Sequence, residues 1–186
     1  MITGQRITLR AIERDDLPRY VAWLNDPAII YHLKAFFPFN LEDEIDWYEQ
    51  QRKDDTGLNL AIVINEGKRH IGSVGLTGIS YREQRAELGL VIGDKTQWGQ
   101  GYGREAIQLL LNYAFTELNL HRVYLRVDAS HTPAIRCYLS CGFREEGRLR
   151  DATYHHGHFE DQLMMSILRP EYEGGRDEDV RRNSPL

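Results

Sequence analysis

Residues 97–105 read QWGQGYGRE and lie between a strand-like segment and the most regular helical pattern of the chain. Their alternating glycines, Gly99, Gly101 and Gly103, allow sharp backbone turns and let N–H groups approach a ligand closely. The helix that follows adds unpaired N–H donors and the positive end of its dipole. Together these features predict a loop that binds an anion such as a pyrophosphate.

Two common nucleotide-binding loops do not fit this stretch. A P-loop ends in Gly-Lys followed by Ser or Thr, whereas Gly103 is followed by Arg104 and Glu105. A dinucleotide-binding Rossmann loop follows the pattern G-x-G-x-x-G and usually belongs to the first strand–helix unit of its domain. Here the spacing is G-x-G-x-G and the loop comes after several predicted strands. The remaining alternative is a glycine-rich turn without a ligand, which would place three costly glycines at a helix start.

Hydrophobic periodicity predicts the elements around the loop. A period of two residues indicates strands at 6–12, 59–65, 70–80, 86–92, 122–128, 142–150 and 158–168. A period of 3.6 residues indicates a helix that Asp15 caps and Pro27 ends, a second from Asn40 to about Gln51, and two more at 103–118 and 133–141. The order β-α-α-β-β-β-α-β-α-β-β is that of an α/β (α+β) chain whose central strands are mostly antiparallel.

Length and composition narrow the class of protein. The 186 residues suit one domain, which we place at 1–170, and the polar segment 171–186 is expected to be a flexible C-terminal tail. No stretch approaches the roughly 18 apolar residues of a membrane span, and the N-terminus lacks the apolar core of a signal peptide. We therefore expect a cytoplasmic protein with no membrane partner.

Charge and metal-ligand residues give further expectations. A formal net charge of −5 argues against nucleic acid as a partner, because phosphate binding needs a basic surface. Cys137 and Cys141 lie four residues apart in a helical pattern and are expected to be reduced thiols. The histidines of residues 154–158 fall where a hairpin turn is expected, without a metal-binding spacing. We expect no metal.

Two segments carry a resemblance to a known family. Residues 97–103 resemble the acetyl-coenzyme A (acetyl-CoA) pyrophosphate loop of the GNAT superfamily, Gln/Arg-x-x-Gly-x-Gly/Ala, except that Trp98 stands where Gln or Arg is usual. Residues 128–143, DASHTPAIRCYLSCGF, resemble the family's segment Asn-x-x-Ala/Ser-Ile-x-x-Tyr-x-x-x-Gly-Phe, with His131 in place of Asn. The resemblance extends over residues 6–170. It implies a GNAT-like fold with a mixed, mostly antiparallel, twisted sheet flanked by helices.

The N-terminal part is similar to one branch of that family. Leu9-Arg10, Asp16-Leu17 and the segment WLND at 23–26 resemble the Rim-type branch. This branch includes ribosomal-protein N-terminal acetyltransferases and relatives that act on spermidine or amino sugars. The resemblance implies transfer of an acetyl group from acetyl-CoA to a primary amine, which attacks directly in a ternary complex. The acceptor, whether a protein N-terminus, a polyamine or an amino sugar, is left open.

The resemblance also implies which residues bind the coenzyme. The pantetheine arm is expected to pair with backbone groups of the strand at 86–92, and an N–H there to polarise the thioester carbonyl. The implied residues of the strand, the loop and the second segment are Leu90, Val91, Ile92, Trp98, Gly99, Gln100, Gly101, Tyr102, Gly103, Arg104 and His131. For Arg104, a solvated arginine in the first helical turn is the alternative.

Two residues are predicted to be catalytic. A free alkylamine has a pKa of about 10, so a base or a water relay must remove its proton near neutral pH. Glu87 is the candidate base, because alternation places it on the strand beside the thioester. The alternative is an exposed strand glutamate paired with Arg85 or Arg126. Tyr138 matches the family's general-acid tyrosine, which protonates the leaving thiolate, and a packing tyrosine is its alternative.

Three hypotheses stay open at this point. The aromatic residues between Tyr31 and Phe39 either line the acceptor pocket or close the core. Because Trp98 and His131 depart from the family pattern, a catalytically silent acyl-CoA-binding module is the alternative to an enzyme. The resemblance further implies self-association as a homodimer.

Overall fold

A computed structural model describes residues 1–33, 38–155 and 157–174. Its strands are β1 Ile2–Thr3, β2 Ile7–Ala11, β3 Leu58–Ile64, β4 His70–Ser80, β5 Arg85–Ile92, β6 Arg122–Asp128, β7 Arg144–His155 and β8 His158–Leu168. Its helices are α1 Leu17–Leu24, α2 Pro27–Ile30, α3 Leu41–Gln51, α4 Tyr102–Thr116 and α5 Thr132–Ser140. Short 3-10 turns cover Arg14–Asp16 and Lys95–Gln97.

The strands form one open sheet in the order β1-β2-β3-β4-β5-β6-β8-β7. β5 and β6 pair in parallel, whereas β1–β2, β2–β3, β3–β4, β6–β8 and β7–β8 are antiparallel pairs. The predicted α/β fold with a mixed, mostly antiparallel sheet flanked by helices is thereby confirmed. Among the helices described, none is long and apolar enough to cross a lipid bilayer.

Two compact units divide the chain. The first comprises Met1–Ile79 and Leu88–Leu110, and its core includes the fully buried side chains of Ile7, Ile62 and Leu76. The second comprises Ser80–Glu87 and the described residues from Leu111 onward, and its core includes Leu120 and Phe143. Every residue of the predicted anion loop belongs to the first unit, and both predicted catalytic residues belong to the second.

The start of α3 follows from its capping residue. The Asn40 side chain accepts hydrogen bonds from the backbone N–H groups of Glu42 at 2.8 Å and Asp43 at 3.1 Å. The Asp43 carboxylate in turn accepts from the Asn40 N–H at 2.9 Å. This reciprocal pair is a capping box, and it satisfies donors that the helix itself leaves unpaired. The predicted helix from Asn40 to about Gln51 is confirmed.

The segment after α1 differs from the prediction. The first helix, α1, ends before Pro27 as predicted, but Pro27 also occupies the first position of the unpredicted short helix α2. The Asp26 side chain caps this helix by accepting from the Ala28 N–H at 2.9 Å. Proline suits the first helical position, where its missing N–H is not needed. The same two residues therefore end one helix and begin the next.

The last strands and the C-terminal segment extend beyond their predicted limits. β7 continues to His155, past the predicted end at 150, and its register with β8 shifts between Leu149 and Thr153. Such a bulge lets a strand continue after a local break in pairing. The chain is helical over 169–174, where the Tyr172 ring lies 5.1 Å from that of Phe115. The predicted tail beyond residue 174 lies outside the described residues.

Gly72 marks a close approach between β4 and β5. A Cβ at this position would lie 2.1 Å from the Val91 carbonyl oxygen, far inside van der Waals contact. We expect Gly72→Ala to lower the free energy of unfolding by about 1–3 kcal/mol, because the strands must separate. Urea unfolding or calorimetry measures the change. Gly89→Ala on β5 is the control, since no described heavy atom lies within 4 Å of a Cβ there. Equal stability of the two variants would contradict the close approach.

Candidate active site

The predicted anion loop has the backbone conformation that its glycines permit. Gly99 has a φ of 73° and Gly101 a φ of 82°, both in the left-handed region that other residues rarely adopt. The loop follows the 3-10 turn Lys95–Gln97 and ends where α4 begins at Tyr102. Gly103 lies within the first turn of that helix. The left-handed turns and the helix start therefore present N–H donors from one short segment.

Arg6 contacts this loop, and sequence reasoning missed it. Its Nε donates to Glu105 Oε2 at 2.9 Å, and its backbone N–H donates to Glu105 Oε1 at 2.8 Å. Its Nη1 donates to the Gln100 carbonyl at 2.9 Å. The guanidinium also lies 4.7 Å from the centroid of the Tyr102 ring. One arginine just before β2 thus contacts three residues of the loop and of the first turn of α4.

Trp98 has a structural contact of its own. Its indole Nε1 donates a hydrogen bond to the Ile92 carbonyl at 2.7 Å, although the side chain is about half exposed. The bond joins the loop to the end of β5. This hydrogen bond therefore engages the carbonyl oxygen of Ile92, a residue that is predicted to pair with pantetheine. A carbonyl oxygen has two lone pairs, so this contact does not exclude a second donor.

Glu87 lies on the strand as predicted, but it is paired. Ala86 and Leu88 are buried while Glu87 and Gly89 are on the more exposed face, which is the expected alternation. Arg126 donates to both Glu87 carboxylate oxygens, at 3.0 and 3.2 Å. This pair is the alternative that the sequence left open for Glu87. The carboxylate raises the pKa of Arg126 further, mainly through these hydrogen bonds.

The Glu87–Arg126 pair lies in a groove of the second unit. The groove has a volume of about 530 Å³ and contains the further pair of Arg122 and Glu146. Hydrogen bonds from Arg122 lower the pKa of Glu146 to about 2, although its side chain is more than a third exposed. Three arginines and two glutamates line this groove, so its charges are largely balanced within it.

Tyr138 is buried in α5. Its side chain is 8% exposed, and its ring lies 5.8 Å from that of Phe143. Burial raises the pKa of its phenol above the ordinary value, so the hydroxyl stays protonated at neutral pH. The ring contact agrees with the packing alternative. The protonated phenol is also the state that a general acid requires.

His131 precedes α5 and is its N-cap residue. Its backbone N–H donates to the Asp128 carbonyl at 2.9 Å. Within the described residues its side chain makes no capping hydrogen bond to the first turn of α5. The buried Asp128 carboxylate accepts from Gln162 Nε2 at 3.2 Å, which links the end of β6 to β8. The turn before α5 is therefore held by a backbone hydrogen bond, while the buried Asp128 carboxylate joins β6 to β8.

A cavity of about 350 Å³ lies in the first unit. It is lined by the aromatic side chains of Tyr20, Trp23, Phe39 and Trp47, with Val91 contributed by β5. In the predicted aromatic stretch, Phe39 lines this cavity. Tyr31 is exposed and packs edge to face against the His32 ring. Residues 34–37 lie outside the described part of the chain. The two tryptophans were not predicted, because apolar residues on a helix face usually mark core.

Glu44 lines the same cavity and is almost completely buried. The residue is 4% exposed, and among the described residues no donor or charged group acts on its carboxylate. Burial raises its pKa to about 7, since a charged carboxylate loses hydration there. A carboxyl with this pKa in an aromatic cavity is typical of a functional site.

Arg10 and Asp16, two residues of the N-terminal resemblance, form an ion pair in which the carboxylate is buried. Arg10 donates to both carboxylate oxygens of Asp16, at 2.6 and 2.8 Å, and Asp16 is 4% exposed. His70 Nδ1 lies 3.2 Å from the same carboxylate, and burial lowers the pKa of His70. The Asp16 carboxylate thereby brings β2, β4 and the turn that leads into α1 together.

Known proteins match the chain over most of its length. The model of the acetyltransferase (GNAT) domain family matches residues 6–144. The chain is 32% identical over 174 residues to an uncharacterised N-acetyltransferase, p20, of Bacillus licheniformis, covering 91% of this chain and 97% of that protein. It is 35% identical over 169 residues to the spermidine N(1)-acetyltransferase of Vibrio cholerae, covering 91% of this chain and 96% of that enzyme. A crystal structure of spermidine N-acetyltransferase from Vibrio cholerae in complex with CoA and spermine has a TM-score of 0.85 at 31% identity, covering 91% of this chain and 99% of that one.

Proposed function

The chain belongs to the GNAT acetyltransferase family and is an acyl-CoA-dependent N-acetyltransferase, and we propose that it transfers the acetyl group of acetyl-CoA to a primary amine within a ternary complex. The observation that carries the proposal is the loop at 99–103, whose left-handed glycines and helix start present N–H donors together. The coenzyme in the complex of the Vibrio cholerae enzyme supports acetyl-CoA as the donor.

In this proposal the backbone holds the coenzyme. N–H groups from Gly99 to Arg104 bind the pyrophosphate, as a helix start binds phosphate groups in general. The pantetheine amides pair with peptide groups of Leu90, Val91 and Ile92. Among the described residues the ladder between β5 and β6 includes only Arg85, Ala86 and Glu87 of β5. Later peptide groups of β5 therefore do not take part in that ladder, which supports a strand-like pairing with the pantetheine arm.

Tyr138 acts as the general acid when the tetrahedral intermediate collapses. The carbon–sulfur bond breaks, and the phenol gives its proton to the thiolate of coenzyme A. The amine nitrogen loses a proton in the same sequence, which restores the phenol. A buried, protonated tyrosine supports this role. Glu87 stays a candidate base, although its bidentate pair with Arg126 engages the oxygens that would accept the proton of the amine.

Release of free thiol from acetyl-CoA tests the proposal. The panel of acceptors comprises spermidine, an amino sugar, an apolar monoamine and a peptide with a free N-terminus. Spermidine is included because the relatives from Vibrio cholerae act on it. We expect turnover with at least one amine, and initial-rate lines that intersect when both substrates are varied. Micromolar binding of coenzyme A without turnover on any amine would favour a silent binding module. Parallel lines would contradict direct attack in a ternary complex.

Arg6 is expected to affect coenzyme affinity without touching the coenzyme. Loss of its contacts to Glu105 and to the Gln100 carbonyl leaves the loop less ordered, so Arg6→Met should raise the Kd for acetyl-CoA about 3- to 10-fold, the range for partly exposed charge-assisted contacts. We expect kcat to stay within twofold. Calorimetric titration measures Kd, and Arg14→Met, which removes an exposed arginine paired with Glu49, is the control.

A double-mutant cycle separates this contact from a general loss of stability. If Arg6 acts through Glu105, Arg6→Met combined with Glu105→Gln should raise the Kd little more than either single change. Additive effects on Kd would show that the two residues act independently.

Self-association as a homodimer stays a prediction, and sedimentation analysis tests it.

A further inference from the structure

We propose that the aromatic cavity of the first unit binds the acceptor as a small primary amine with one positive charge on an apolar or aromatic body, and that Glu44 receives its ammonium group. The inference rests on the proposed acetyl transfer and names its acceptor. The cavity volume of about 350 Å³ lies at the lower end of the usual range for small-molecule sites. Val91, predicted to lie along the pantetheine arm, also lines the cavity. Amine and thioester therefore meet at β5.

The charge of the cavity selects one ammonium group. Asp43 and Glu44 are the carboxylates that line it. Asp43 is exposed, and its carboxylate is engaged by the N–H of Asn40 in the capping box. Glu44 is the buried one, and in the described part of the chain it has no hydrogen-bond donor. A buried carboxylate is costly without a counter-charge, and a bound ammonium group supplies one.

The walls of the cavity suit an apolar body. The rings of Tyr20 and Trp23 lie 5.4 Å apart edge to face, and Trp47 lies 6.1 Å from Tyr20. Aromatic faces attract a cation and also bury apolar surface. A polyamine would place a second or third ammonium group among these rings without a buried carboxylate to pair with it. We therefore infer discrimination against polycations.

Glu44 also has the chemistry of a general base. Its carboxylate takes one proton from the ammonium group, and the nitrogen lone pair of the resulting amine forms the bond to the thioester carbon. As the carbon–sulfur bond breaks, the thiolate takes the proton of the Tyr138 phenol, and the second proton of the nitrogen restores that phenol. Among the described residues, the other titratable or charged groups of the cavity wall are the phenol of Tyr20 on α1 and the Asp43 carboxylate on α3. Burial raises the pKa of Tyr20, so the phenol stays neutral. Behind Tyr20 lies His70, whose neighbour Asp16 is paired with Arg10.

The raised pKa fixes the sign of the pH dependence. Burial raises the pKa of Glu44 to about 7 in the free protein. Below that pH the carboxyl is protonated and accepts no proton from the amine. The kcat/KM for the amine reports the free enzyme, so it should fall about tenfold per pH unit below 7. Above pH 7 the Glu44 carboxyl is ionised, so its titration no longer changes kcat/KM.

The test measures free-thiol release with 2-phenylethylamine, spermidine and glucosamine at pH 5.5–9. We expect kcat/KM for 2-phenylethylamine to exceed that for spermidine by tenfold or more. Glu44→Gln should lower kcat/KM for 2-phenylethylamine at least 100-fold and remove the inflection near pH 7. Asp46→Asn, an exposed carboxylate on the same helix, is the control and should match the wild type. Calorimetry with 2-phenylethylamine and the complex with coenzyme A should show at least tenfold weaker binding in Glu44→Gln.

Three outcomes would overturn the inference. Preference for spermidine, with turnover intact, would refute the single-charge acceptor and leave acetyl transfer standing. An inflection lost in Glu87→Gln but retained in Glu44→Gln would assign the proton transfer to the other carboxylate. Acetylation of no amine, together with binding of coenzyme A, would refute both this inference and the proposed function.

Discussion

Replacing Tyr138 by phenylalanine should lower kcat about 100-fold or more, which is the usual contribution of a general acid. The thiolate then leaves without a proton donor in a site where burial favours neutral groups. The change removes one oxygen atom from a side chain that is 8% exposed, and the ring contact with Phe143 remains. We therefore expect the Kd for acetyl-CoA to change less than twofold. Single-turnover rates and calorimetric titration measure the two quantities.

Tyr154→Phe is the control for this experiment, because Tyr154 is exposed on β7 and has no predicted role in binding or catalysis. The melting temperature of both variants shows whether the fold is intact. A kcat for Tyr138→Phe equal to that of the wild type would remove this residue from the mechanism. The packing role of its ring would then be sufficient to explain its position.

Replacing both Gly99 and Gly101 by alanine should raise the Kd for acetyl-CoA about 30-fold or more. Each alanine would have to adopt a positive φ, which costs an L-residue about 1–2 kcal/mol. At Gly99 crowding adds nothing, since a Cβ there meets no described atom within 4 Å, whereas at Gly101 a Cβ would lie 3.3 Å from Arg6 Nη2, which must shift slightly. The loop is expected to relax to negative φ and to turn its N–H donors away from the pyrophosphate.

Gly67→Ala provides the matched control. Gly67 also has a positive φ, 69°, and no described atom lies within 4 Å of its Cβ, but it belongs to the turn between β3 and β4. With one such glycine replaced instead of two, it should show about half the loss of stability and an unchanged Kd. An unchanged Kd in the Gly99 and Gly101 double variant would refute the assignment of the loop to the coenzyme. The family membership would then stand without its expected binding site.

The features that could be predicted well from the sequence depend on residues close together in the chain. Asn40 caps α3, the glycines of the loop turn with positive φ, and the apolar stripe of α4 is buried, including Ile107, Leu110 and Leu111. Each of these features depends on neighbours within a few residues. The hydrogen-bonding and steric preferences of those residues are sufficient to determine the local structure.

Contacts between distant residues explain what the sequence did not predict. Arg6 and Glu105 are 99 positions apart, and no local pattern joins them. Glu44 is one of three acidic residues in the first turn of α3, where carboxylates are usually solvated. Its burial depends on which face of α3 turns toward Tyr20 and Trp23. That orientation is set by packing rather than by the order of residues.

The chain contains three tryptophans: two of them line the cavity, and the third belongs to the loop and donates to the end of β5. Indole emission depends on the polarity around the ring, so amine binding should alter the signal of Trp23 and Trp47, and coenzyme binding that of Trp98. Trp98→Phe would leave only the cavity pair as reporters. Stopped-flow recordings of the two proteins would then reveal the order in which the substrates arrive, without any attached dye.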